Sequence, residues 1–227
     1  MADDNRPIQY MRYAVGEIVL VVIGILIALQ INNWNEARKD KIIEQKVLKT
    51  LRSDFKSNKA QLQDNIDETE KMVSDISQLF ELFRMTQSEL SLIPKDSIRT
   101  GFGGYATFNP SDGALTSLLL SGNLNIITND SLKNKLTNWP NLVNDAKEDE
   151  NILVEKITKD LAKQELEYQS YINNPKFKLN RLAMFDDLIL QNTFFDIRSG
   201  ANYQIYLYGE LQNEIEEILN LIDNEIR

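Results

Sequence analysis

The chain of 227 residues contains no cysteine and no histidine. Without cysteine there is no disulfide, no thiolate zinc site, no cysteine nucleophile and no lipid-attachment cysteine; without histidine the commonest general base and metal ligand is missing. Only nine glycines and five prolines leave few places to break regular structure. Basic residues are also in deficit. Twenty-five Lys and Arg face 34 Asp and Glu, a net charge of −9 that disfavours a nucleic-acid partner. What remains, 42% hydrophobic with 26% charged, suits one or at most two helix-rich domains rather than a disordered chain.

One stretch departs from this polar background. Ala14 to Ile31 reads AVGEIVLVVIGILIALQI, with every residue from Ile18 to Leu29 apolar or glycine. That inner run alone is too short to span a bilayer, but the 21 steps from Tyr13 to Trp34, at about 1.5 Å each, cover about 31 Å, the hydrocarbon thickness. Tyr10 and Tyr13 then mark one interface and Trp34 the other. A helix apolar all round lies in lipid or deep in a core, and a core would need neighbours on every side. A cleaved signal peptide fits less well, because Leu26 and Ala28 make a poor cleavage pair and the apolar run continues to Ile31. The sequence therefore reads as an uncleaved signal anchor: a tail over 1–13, a transmembrane helix over 14–34 and a soluble helical-bundle domain over 35–227.

Glu17 sits one turn inside Tyr13, where a carboxylate meets the edge of the hydrocarbon. Three readings stand: snorkelling towards Arg12 or Tyr13, pairing with a donor on another transmembrane helix, or a protonatable group in an ion-coupled, stator-like assembly. Gly16, Gly24 and Ala28 recur at intervals of eight and four and place small residues on one face, where a second helix can approach. Orientation draws on opposed signals. Arg6 and Arg12 precede the span, whereas Arg38, Lys39, Lys41, Lys46 and Lys49 follow it, a count favouring a cytoplasmic domain. The short tail favours periplasmic display, which is the expectation kept.

GEIVLVVIGILIALQINNWNE, from Gly16 to Glu36, and LLLSGNLNIITNDSLKNKL, from Leu118 to Leu136, resemble an uncharacterised family of single-pass inner-membrane proteins of Bacteroidota. The resemblance implies an anchored helical domain with no established reaction or ligand. Family members are associated with a longer, more basic N-terminal segment than MADDNRPIQYMRY.

Beyond Trp34 the pattern predicts a helix without Gly or Pro as far as Leu92, continuous or broken once near Lys56 to Lys59, with apolar steps of three and four from Ile43 to Phe83. Ile93 to Asp112 reads as a loop, and its GFGG cluster lacks the remainder of any phosphate-binding signature. Ser111 or Asp112 caps a short helix stopped by Gly122, and Asn129 or Asp130 caps the next. Pro140 is expected to kink or divide the chain before a helix from Asn141 to Tyr171, ended by Asn173, Asn174 and Pro175. Leu182 to Phe195 suggests a short core helix ending at Ser199-Gly200. Ile205, Tyr208, Leu211, Ile215, Ile218, Ile222 and Ile226 then mark a final amphipathic helix. The fold expected is all-α: the transmembrane helix runs into a long helix, and an antiparallel bundle with short accessory helices follows.

No catalytic constellation emerges. Di-metal bundles need Glu-x-x-His pairs, no calcium-binding loop is present, and no serine has an activating histidine or a nucleophile elbow. The acidic runs Glu148 to Glu150 and Asp64 to Glu70 read as solvated faces, and Tyr203, Tyr206 and Tyr208 as packing or the lining of a pocket. No catalytic, cofactor-binding or metal residue is assigned and no cofactor expected. The expectation is a non-enzymatic, membrane-anchored scaffold or accessory subunit of an envelope complex in the bacterial inner membrane. Its partners would be the lipid bilayer and either its own copies or another membrane protein. The alternatives are a periplasmic sensor or ligand-binding bundle and a proton-coupled subunit using Glu17.

Overall fold

The computed structural model describes residues 6–94, 102–168 and 181–226, with the side chains of 6–10, Arg12, Tyr13 and Arg181 outside the description. Helix α1, Arg6–Phe83, is one element of 78 residues, about 117 Å at 1.5 Å per residue. It does not break near Lys56 to Lys59, because nothing between Gly24 and Pro94 interrupts the backbone ladder and this stretch is packed along its length. It stops nine residues before Leu92. Thr86 starts α2, Gln87–Leu92, through a capping box in which its hydroxyl receives the Glu89 N–H and Glu89 receives the Thr86 N–H at 2.7 Å.

The Phe102–Asp112 strap leads to α3, Gly113–Leu120. Gly122, at φ 70°, turns the chain through the 3₁₀ segment Asn123–Ile126, where a left-handed residue is least costly as glycine. Asn129 then caps α4, Asp130–Glu155, by accepting from the Leu132 N–H. Asp112 precedes α3 without a side-chain cap bond. Pro140 does not divide α4. The bond it forfeits is outweighed by the buried Leu136, Trp139 and Val143, which stay in phase only if the helix continues. A π-helical stretch, Lys156–Leu161, joins α4 to α5, Ala162–Glu165. The stop expected at Asn173 to Pro175 lies outside the described residues.

After a 3₁₀ turn at Arg181–Asp186, helix α6 runs unbroken over Leu188–Glu225. Ser199-Gly200 is not a break: a Cβ at Gly200 would already touch Leu153 Cδ1 at 3.4 Å, so glycine here lets α4 lie close. No strand occurs among the described residues.

Helices α1, α4 and α6 form the body, and their buried positions explain why. On α1 the seam is Leu48, Leu51, Phe55, Asn58, Leu62, Asn65, Thr69, Met72, Ile76 and Leu79, with Glu44 and Ile66 also buried; on α4 it is Leu132, Leu136, Trp139, Val143, Ala146, Glu150 and Leu153. On α6 it is Leu190, Phe194, Ile197, Ala201, Gln204, Tyr208, Leu211, Ile215, Ile218 and Ile222, with Thr193 and Leu219 buried beside it. Each series alternates steps of three and four, the heptad spacing that keeps a narrow seam facing a neighbouring helix. Arg52–Asp223 and Lys59–Glu216 fix α6 antiparallel to α1, and Lys135–Glu214 with Lys156–Asp196 fix it antiparallel to α4. The α1 seam differs from the expected one: Ile43 is largely exposed, and Leu48, Met72 and Leu79 carry the core.

Candidate functional site

The apolar segment of α1 stands clear of the bundle. Its most apolar 18-residue window has a mean hydropathy of 2.6 and no part of it is covered by the rest of the chain. Val19, Leu20, Val21, Ile25, Leu26 and Ile27 are each at least half exposed. Such a surface is unfavourable in water, at about 25 cal/mol for each Å². By length and composition this helix can cross a bilayer, and among the described residues no neighbour covers it as a buried core helix would require.

Trp34 is 65% exposed at the far end of that segment, as an interfacial anchor requires. Glu17 is exposed within it, and Gly16, Gly24 and Ala28 lie open on its surface, with nothing within 4 Å of a Cβ built at either glycine. The backbone of Tyr13 is helical, but its side chain lies outside the described residues. Residues 14–34 thus form one exposed rod, its apolar window uncovered among the described residues.

The bundle begins about ten residues later, where its first polar contact forms. Glu44, 4% exposed, accepts from both the N–H and the hydroxyl of Thr128 at 2.7 Å. Alongside, Asn129 Nδ2 donates to Glu225 Oε1 and Gln45 Nε2 to the Glu225 carbonyl. These bonds tie the start of α4 and the end of α6 to α1 at the end nearest the span. Between Trp34 and Glu44 the basic residues Arg38, Lys39 and Lys41 remain exposed.

A second polar feature lies mid-bundle. Two apolar cores, one around Phe55, Trp139 and Ile215 and one around Ile76, Phe185 and Phe194, are separated by a layer containing Asn65, Thr69, Glu150 and Gln204. Glu150 receives the Tyr208 hydroxyl at 2.6 Å and the Phe108 N–H at 2.9 Å. Burial pushes the Tyr208 phenol up, reinforced by the Glu150 hydrogen bond and charge and opposed by the Gln204 and Asn65 amides. The strap is held again where Asn58 donates to the Ser111 carbonyl and accepts its N–H.

Glu150 therefore corrects the reading of Glu148 to Glu150 as one solvated face: Glu148 is exposed, Asp149 intermediate and Glu150 buried. Asp64, Asp67, Glu68 and Glu70 are exposed as expected. Tyr203 and Tyr206 stack on each other at the surface, with centroids 6.1 Å apart, while Tyr208 is wholly buried, so the three share no pocket. Among the described residues, no three acidic side chains converge as metal ligands would.

The model of a family of unknown function, DUF6090, matches residues 17–141. That is more than half of the chain, from Glu17 in the apolar rod to Asn141 in α4. The chain belongs to DUF6090. No curated protein and no solved structure matches it. The matched stretch takes in most of the rod, the basic residues after Trp34, the strap, α3 and the Gly122 turn; the DUF6090 match stops short of Glu150 and all of α6.

Proposed function

We propose that this DUF6090 protein is a non-enzymatic, single-pass scaffold or accessory subunit of an envelope complex, anchored in a bacterial inner membrane by residues 14–34 and self-associating there. The observation that carries the reading is the uncovered apolar rod continuous with the bundle. An unbroken helix through the interface couples the bundle rigidly to its anchor, since no glycine or proline offers a hinge between Gly24 and Phe83. The chemistry of the described side chains supports a structural role: the buried Glu150 is engaged by the Tyr208 hydroxyl and the Phe108 N–H, and Glu44 by Thr128.

Self-association is supported by the open face of Gly16, Gly24 and Ala28, which admits close helix approach in lipid. Cross-linking in intact membranes tests it: dimers or a discrete partner band are expected, and monomers alone with no partner contradict it. We place the bundle in the periplasm, as a signal anchor does. An alkaline phosphatase fusion at the C-terminus is expected to be active, and an inactive one, with a fluorescent cytoplasmic reporter in its place, reverses the orientation.

A further inference from the structure

The tip between α3 and α4 lies unusually low on the molecule. Gly122, Asn123 and Asn125 share a cleft with Ala37, Asp40 and Lys41 of α1. Ala37 is three residues beyond Trp34 and Lys41 seven, about 4.5 Å and 10.5 Å along the helix axis. With Trp34 at the edge of the hydrocarbon, those levels fall within or just above the headgroup layer, which is about 5–8 Å thick on each side. With residues 14–34 in a bilayer, the tip lies at its surface, about one turn of α1 nearer to it than the Gln45–Glu225 contact.

Its composition suits that position. Leu120, two residues before Gly122, is 84% exposed, and no element among the described residues covers it. Gly122 turns the chain sharply at φ 70°, and Asn123 and Asn125 present exposed amides. Lys41 lines the cleft, Arg38 follows Ala37 on the adjoining face of α1, and neither makes an ion pair among the described residues. The acidic groups nearby are Glu36, Asp40 and Glu44, of which Glu44 is buried and engaged by Thr128. At this level Arg38, Lys39 and Lys41 stand against Glu36, Asp40 and the engaged Glu44, while Lys46 and Lys49 lie farther up α1.

We propose that the α3–α4 tip, with Arg38 and Lys41 beside it, docks on anionic phospholipid headgroups of the bilayer that the span crosses. This rests on the anchoring reading above. The contact gives the bundle a second point on the membrane, off the α1 axis, and so fixes its rotation and tilt about α1. Cations near an anionic surface gain from its negative potential, which decays within a Debye length, so only residues at this level profit.

The natural chain has no cysteine, so a single introduced one is labelled without background. Full-length Asn123→Cys and Tyr203→Cys variants, both exposed positions, carry an environment-sensitive fluorophore and are reconstituted into phosphatidylcholine vesicles with and without phosphatidylglycerol. The label at 123 is expected to shift to the blue and to be quenched by headgroup-level doxyl lipid, more so with phosphatidylglycerol; the label at 203 stays as in water. Adding Arg38→Gln and Lys41→Gln is expected to abolish the phosphatidylglycerol increment while the protein still floats with vesicles. Identical, water-like emission at 123 and 203, or quenching indifferent to phosphatidylglycerol, overturns the docking while leaving the anchor intact. Failure of the unlabelled chain to float overturns the anchor, and the docking with it.

Discussion

The Tyr208 hydroxyl donates to Glu150 Oε2 at 2.6 Å inside the bundle, joining α6 to α4 at the level where the two apolar cores meet. The same carboxylate oxygen takes the Phe108 N–H, so one acidic side chain holds two helices and the strap together. Tyr208→Phe is expected to cost about 1–2 kcal/mol, the value of one buried hydrogen bond to an acidic acceptor. Glu150→Ala strands both donors and should cost more, about 2–4 kcal/mol. Urea denaturation of the detergent-solubilised chain, followed by circular dichroism, gives the two values; equal and negligible losses would remove the layer's structural role.

Gln204, in the same layer, is expected to behave differently. Its Nε2 donates to the Ala146 carbonyl at a long 3.3 Å and its amide also bonds to the Tyr208 oxygen, but its Oε1 finds no partner among the described residues. Leucine here removes the weak donor bonds and, with them, the desolvation cost of the unpartnered Oε1, and these two effects oppose each other. Gln204→Leu should therefore leave the midpoint within about 1 kcal/mol of the parent or raise it. A loss as large as that of Glu150→Ala would show that Gln204 is better bonded than its geometry indicates.

Asp187 starts α6 by accepting from the Ile189 and Leu190 N–H groups, and it also receives the Tyr168 hydroxyl at 2.6 Å. That hydrogen bond, with those from Leu190 and Ile189, holds its carboxyl below the ordinary value of 3.8, while the Tyr168 phenol is pushed up to about 12. A depressed folded-state value means the contribution is complete above the unfolded value and is lost as pH falls through the folded one. Asp187→Ala should cost about 1 kcal/mol or more at neutral pH. The difference from the parent should shrink below about pH 4, where the unfolded carboxyl protonates. Paired melts at the two pH values check this, and a pH-independent difference would contradict it.

Two glycines are expected to respond in opposite directions. Gly122→Ala forces a Cβ into the left-handed region at φ 70° and should destabilise by about 1 kcal/mol. Gly209 lies within α6 with nothing within 4 Å of a built Cβ, so Gly209→Ala should stabilise by about 0.5–1 kcal/mol through helix propensity. Thermal midpoints of the two variants decide both signs.

The all-α architecture and the apolar rod were legible because each depends on local pattern: a run apolar on every side, and steps of three and four. Glu150 was missed for a reason the sequence itself exposes. Counted from Leu132 in alternating steps of four and three, position 150 falls on the α4 seam, so the phase places this acid inside whatever its neighbours Glu148 and Asp149 suggest. Pro140 and Gly200 were read as breaks because their local cost is plain while the packing that offsets it, around Trp139 and against Leu153, is not. The Glu44–Thr128 contact and the low position of the Gly122 tip join residues far apart in the chain, 84 positions in the first case, and only the fold brings them together.

The most direct test is flotation of the full-length chain, made without detergent, on a density gradient with phosphatidylcholine vesicles after an alkaline carbonate wash, alongside a chain lacking residues 14–34. The account predicts that the full chain rises with the lipid and the shortened chain stays at the bottom. A full-length chain that stays in the aqueous fraction would contradict it.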